Sequence, residues 1–176
     1  MVDLVILIRP ASTRDWHAVG TLVQESIFEA PSSLYGFEDL PADPLKLGQQ
    51  LIGSGDSTIA TSLVAETHLG LAGLCQVLYG EFQRCSHAGL LTLLVHPAGR
   101  NQGVGREFIR EIETRFRADP TIEKVTIHVS ERDLELMHLV KSEGWRLERV
   151  CPNALDIGRH KVALHHYALD LESEGA

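Results

Sequence analysis

The stretch Val95-His-Pro-Ala-Gly-Arg-Asn-Gln-Gly-Val-Gly-Arg106 carries the residue types that hold an anion. Two glycines follow an arginine at fixed spacing, Arg100-x-x-Gly103-x-Gly105. Glycine lets a backbone approach a phosphate closely. The first N–H groups of a helix lack internal partners and point along the positive end of its dipole. Arg100 adds a charge-assisted contact that can be bidentate. Together these parts imply the grip of a pyrophosphate.

The segment must then lie between a strand and a helix. Leu90-Leu91-Thr92-Leu93-Leu94-Val95 reads as a buried strand ended by Pro97 and Gly99. Beyond Gly103, Phe108, Ile109, Ile112 and Phe116 recur at helical spacing with charges on the other face, so a helix begins at the glycines. The Gly-Lys-Ser/Thr ending of a P-loop is missing, and so is the early glycine of a dinucleotide fingerprint.

The rest of the chain supplies a sheet. Val2 to Ile8 reads as a first strand, too short for a membrane span. Ser12 and Asp15 form a capping box for a helix with the stripe Trp16, Val19, Leu22, Val23 and Ile27. Residues 31–55 read as a loop with one short helix and with Tyr35 and Phe37 near its tip. Thr58 to Ala65 and Leu71 to Tyr79 form a hairpin, and Val125, Ile127 and Val129 alternate in a further strand. A second amphipathic helix runs from Arg132 to Glu143, and Gly144 ends it in a left-handed cap. Trp145 to Val150 and His160 to Leu171 are two strands joined by a connection bearing Pro, Asn and Gly. Hairpins mixed with one strand-helix-strand crossover predict an α/β fold with a mixed sheet and helices on both faces.

At 176 residues and 44% hydrophobic content, one domain over residues 1–176 is expected. A formal charge of −8 argues against general nucleic-acid binding and suits a cationic small substrate. Cys75, Cys85 and Cys151 are odd in number and have no metal-like spacing, so free thiols are expected. His165 and His166 are adjacent in a strand and so point to opposite faces, which argues against a shared metal ion. With no targeting or transmembrane segment, the expectation is a cytoplasmic protein without membrane partners.

The Arg-x-x-Gly-x-Gly loop after a strand resembles the signature of the GCN5-related N-acetyltransferases (GNAT), and the element order matches over roughly Leu4 to Leu171. A second stretch agrees. The family helix reads Asn-x-x-Ala-x-x-Leu-Tyr-x-x-x-Gly-Phe. Counted without gaps, these positions fall on Asp133, Leu136, Leu139, Val140, Gly144 and Trp145. Thus Asp133 replaces the Asn and Val140 replaces the Tyr.

The resemblance implies a mostly antiparallel sheet of about seven strands and acetyl-CoA as cosubstrate. It assigns the cofactor to Leu93, Leu94, Val95, Arg100, Asn101, Gln102, Gly103, Val104, Gly105, Arg106 and Asp133. Backbone N–H groups of Leu94 and Val95 would hold the thioester carbonyl, on a strand that splays from its neighbour. The acceptor would be the amine of a small molecule or peptide, bound by residues 31–55 and 150–159, and homodimers are common in the family.

Direct attack also needs a base for the amine and a proton for the departing thiolate. The strand before the loop offers no carboxylate. Glu81 and His87 are preferred to Glu25, Glu29 and Glu66 as bases, because they lie in the segment feeding that strand. Val140 cannot supply the proton that a Tyr would, and Ser130 and His138 are the nearby substitutes. Without a proton donor, the alternative is a silent acyl-CoA-binding sensor or regulatory domain. A glycine turn that binds nothing, in a plain interaction domain, is a third reading.

Overall fold

The computed structural model describes residues 5–29, 40–53, 59–79, 85–119 and 121–171. Its elements in chain order are β1 (Leu7–Pro10), α1 (Trp16–Glu29), α2 (Pro44–Ile52), β2 (Ile59–Thr67), β3 (Gly70–Tyr79) and β4 (Ala88–Val95). Then come α3 (Val104–Arg117), β5 (Lys124–Ser130), α4 (Leu134–Ser142), β6 (Arg146–Ile157) and β7 (His160–Asp170). The strands form one seven-stranded sheet, ordered β1-β2-β3-β4-β5-β7-β6. Every neighbouring pair is antiparallel except β4 and β5, which the α3 crossover joins in parallel.

The side-chain period of two divides the sheet between two cores. On one face Cys75, Val77, Leu91, Val125, Ile127 and Val129 pack with Phe108, Ile109 and Ile112 of α3 and Val140 of α4. On the other, Val64 and Leu74 pack with Val19, Leu22, Val23 and Ile27 of α1 and Leu47 of α2. Helices thus cover both faces, as the mixed periodicity predicts. The two helices of the second face cross closely. A Cβ on Gly48 would stand 1.7 Å from the Trp16 carbonyl oxygen, so this position admits only glycine.

The entry to α1 is tied down by charge. Ser12 donates its N–H and its hydroxyl to the Asp15 carboxylate, each at 2.8 Å, after which a 3-10 turn, Thr13–Asp15, leads into α1. Arg9 of β1 grips Asp15 with two nitrogens, at 2.9 and 2.8 Å, and Glu66 of β2 at 2.7 Å. This pairing holds the Asp15 carboxyl well below the usual carboxylate range.

The largest departure from the sequence reading lies in the C-terminal hairpin. The stretch from Cys151 onward, expected as a connection, continues β6 to Ile157 and pairs with β7 up to Ile157 and His160. A register shift between Cys151 and Leu155 accommodates Pro152, which cannot donate to the ladder, and Asn153 takes a left-handed φ of 56°. The expected acceptor loop at 150–159 is therefore a strand and a tight turn. The helix expected from Arg132 begins at Leu134, after Asp133 caps it, and Gly144 has the left-handed φ of 85° that its position predicts.

Candidate active site

β4 and β5 start as partners and then part. Their ladder runs from Ala88 and Lys124 to Leu91 and Ile127 and stops there. β4 continues to Val95 against β3, and β5 continues to Ser130 against β7. The facing edges of Thr92–Val95 and His128–Ser130 are left without a strand between them. A cleft of about 1190 Å³ opens there, lined by residues from β3, β4, β5 and all four helices.

The register says which backbone groups face the gap. In an antiparallel ladder a residue turns its N–H and C=O to the same neighbour, and successive residues alternate. His96 N–H donates to Ala72 O at 2.9 Å, so Leu94 and Thr92 also face β3. Leu93 and Val95 face the gap. The β5 side agrees, because the carbonyl of His87 accepts from Glu123 N–H at 2.9 Å and that of Gly89 accepts from the Thr126 hydroxyl at 3.3 Å. This corrects the expectation for Leu94, whose N–H is committed to β3.

The loop closes one end of the cleft. After a 3-10 turn at Pro97–Gly99, Asn101 has φ 58° and Gly103, the N-cap of α3, has φ 89°. Glu107 N–H makes the first helical bond, to Gly103 O at 3.0 Å. The N–H groups of Val104, Gly105 and Arg106 thus remain for an anion. Gly103 is needed for its backbone angle, since a Cβ there would meet open space. Gly105 is needed for packing: its Cβ would meet Leu139 Cδ2 at 2.8 Å, where α3 and α4 close on β4.

Side chains around the loop differ in availability. Arg100 lines the cleft. Arg106 also reaches it, with its Nε donating to Glu143 at 2.7 Å. Gln102 is turned back to Ala98 O at 2.6 Å. Asp133 accepts from Leu136 N–H at 3.0 Å as the N-cap of α4 and lines the cleft. Burial raises its pKa, and nearby Arg100 offsets part of that.

The expected bases fare differently. Glu81 lies outside the described residues. His87 is exposed and sits before β4, six residues from Leu93, about 20 Å along an extended chain, and is absent from the cleft lining. His87 and the cleft are thus not brought together. Val140 is fully buried in the helix-side core, and the cleft wall there is made by Leu136, His138 and Leu139 instead. Ser130 lines the cleft and is 2% exposed, and its hydroxyl accepts from Arg132 N–H at 3.3 Å.

A row of polar side chains crosses the sheet face that carries α1 and α2. Ser62 pairs with Gln76, Gln76 with Thr92, and His128 with His166; Thr92 and His128 follow the last pair of the β4–β5 ladder. His128 lines the cleft, and its ring stacks on His166 with centroids 3.9 Å apart. Burial, then the neighbouring His166, lowers the His128 pKa below 6.5, so its imidazole is neutral at neutral pH. Sequence reading passed over His128. Its only signal was the alternation that turned it away from Ile127 and Val129. His165 lies on the opposite face, stacked with Tyr167, as adjacency in a strand predicts.

Comparison with known proteins agrees with this geometry. The model of the acetyltransferase (GNAT) family matches residues 25–145. A GNAT acetyltransferase from Streptococcus pneumoniae shares the fold with a TM-score of 0.81 and 18% identity, over 94% of this chain and 99% of that one. The Salmonella typhimurium protein yncA, solved with its cofactor acetyl-CoA, has a TM-score of 0.78 and 18% identity, over 98% of this chain and 97% of that one. A phosphinothricin acetyltransferase from Sinorhizobium meliloti, in complex with acetyl-CoA, has a TM-score of 0.81 and 12% identity, over 94% and 88%. At these identities the structures speak for the fold, and the family match over most of the chain speaks for descent. The chain belongs to the GNAT acetyltransferase family.

Proposed function

We propose that this protein is an acetyl-CoA-dependent N-acetyltransferase in which an amine attacks the thioester directly. The observation that carries the reading is the gap between β4 and β5, which runs into the N-terminus of α3. A pantetheine arm is an extended chain with two amides, so it can fill the place of the missing strand and bond to Leu93 and Val95. The pyrophosphate belongs on the N–H groups of Val104, Gly105 and Arg106 with Arg100 beside it. Asn101 and Gln102 shape the turn, and Asp133 fixes the start of α4 against the arm. Two neighbours that share the fold hold acetyl-CoA, which supports the same ligand here.

The thioester carbonyl is held by N–H groups of the gap-facing residues, Leu93 first, because fixed donors stabilise the charge that develops on oxygen. His128, neutral and beside the gap, takes the proton of the attacking amine. The nitrogen–carbon bond forms, the carbon–sulfur bond breaks, and the proton held by His128 returns to the departing thiolate. A thiol pKa of about 8.5 makes that sulfur an adequate leaving group without a tyrosine. The acceptor is the amine of a small molecule or peptide, entering from the α1 and α2 side.

Calorimetry with acetyl-CoA tests the first half, and release of free thiol across a panel of amines tests the second. A folded protein that binds no acetyl-CoA at about millimolar concentration contradicts the reading. Val140 keeps one rival alive, a catalytically silent acyl-CoA-binding sensor, for which binding without turnover of any amine is the signature.

A further inference from the structure

We infer that the acceptor half of the cleft takes an amine carried on an uncharged apolar body, an alkylamine or arylalkylamine, whose N–H bonds to Gln76 Oε1. The inference rests on the acetyl-transfer reading above. Gln76 is 6% exposed, lies on β3 opposite Thr92, and lines the cleft on the α1 and α2 side. Its Nε2 donates to Leu51 O at 2.6 Å and to Ser62 Oγ at 2.9 Å. A carbonyl only accepts, so the atom facing Leu51 must be the amide nitrogen, and both of its protons are spent. Among the described residues no donor reaches Oε1. The amide is thus held in a fixed direction, with Oε1 as an acceptor at the cleft wall.

The surroundings say what that partner carries. Val23 and Ile27 of α1, Leu51 of α2, and Leu74 and Leu94 of the sheet wall this half of the cleft. The charged lining residues, Arg100, Arg106, Arg132, Asp133 and Glu135, all belong to the loop and the start of α4, at the cofactor end. Among the described residues the acceptor half holds no cation for a carboxylate and no carboxylate for a second ammonium. Such a charge would be desolvated without a partner, which costs about tenfold or more in binding. The same apolar wall favours the neutral form of the bound amine, the nucleophilic one. Gln76 and His128 stand in one row across the gap, so the nitrogen is held by an acceptor on one side and a proton taker on the other.

The test compares kcat/KM at saturating acetyl-CoA for 2-phenylethylamine, phenylalanine and spermidine, with acetyl-CoA binding followed separately by calorimetry. Phenylethylamine and phenylalanine differ by one carboxylate, and spermidine adds further ammonium groups. The expected result is at least about a tenfold preference for phenylethylamine over both. A charged acceptor that matches it overturns the inference and leaves acetyl transfer standing. Acetyl-CoA binding without acetylation of phenylethylamine also overturns it. Failure to bind acetyl-CoA removes the transfer reading and the inference together. Gln76→Leu should raise the KM for phenylethylamine about tenfold and leave acetyl-CoA affinity within about twofold. An unchanged KM contradicts the role of Oε1, and should this variant not fold, the wild-type comparison decides alone.

Discussion

Replacing His128 with glutamine keeps a polar side chain of similar reach and removes the group that takes up a proton. His128 lies just past the last β4–β5 pair, on the same row as Gln76 and Thr92, with His166 stacked at 3.9 Å. General-base catalysis contributes about 100- to 10,000-fold, or ~3–5 kcal/mol of barrier, so kcat should fall within that range. The pH profile carries the sharper signature. Burial and His166 lower the pKa of His128, so wild-type kcat/KM should rise through a value below 6.5. That acidic limb should vanish in His128→Gln, while the limb from deprotonation of the free amine remains. Thiol release at saturating acetyl-CoA across the pH range measures both effects. A loss of less than about threefold, or an unchanged acidic limb, refutes the assignment.

Removing the imidazole of His166 should move the acidic limb of kcat/KM toward higher pH, since His166 is part of what lowers the His128 pKa; pH profiles of His166→Leu measure this. Gly103→Val forces a β-branched residue to φ 89°, a strain of about 1–3 kcal/mol, and should weaken acetyl-CoA binding by at least about tenfold in calorimetry while the fold persists. Phe108→Ala empties a fully buried site between α3 and the sheet, at about 3–5 kcal/mol, and should lower Tm by roughly 10 °C in scanning calorimetry. Both His128 and His166 have lowered pKa values, so the unfolded chain takes up protons first as the pH falls. Their contribution to stability is therefore full above about pH 6.5 and is lost below it, and urea midpoints on either side of that pH measure the difference.

The sequence shows clearly what local chemistry dictates. The glycine loop, the period change at Gly103, the cap at Gly144 and the split of His165 from His166 follow from rules acting over a few residues, and the structure bears them out. What spans strands was hidden. His87 looked well placed because it precedes β4 in the chain, yet the cleft opens beyond Leu91, at the far end of that strand. His128 is distant in sequence from Gln76 and Thr92 and joins their row only through the register of the sheet. Leu94 and Leu93 are alike in composition, and only the bond from His96 to Ala72 tells which of them turns its N–H to the gap. Residues 151–157 look like a loop because Pro152 and Asn153 are turn formers, but a register shift absorbs them within a long hairpin.

If Leu93 and Val95 offer backbone groups in place of a missing strand, amide hydrogen exchange reads those groups one at a time. Leu94 should be protected with or without ligand, because β3 holds it. Leu93 and Val95 should exchange readily in the free protein and become protected when acetyl-CoA saturates the cleft. Unchanged exchange at Leu93 and Val95 under saturation would mean that no ligand takes the place of the missing strand.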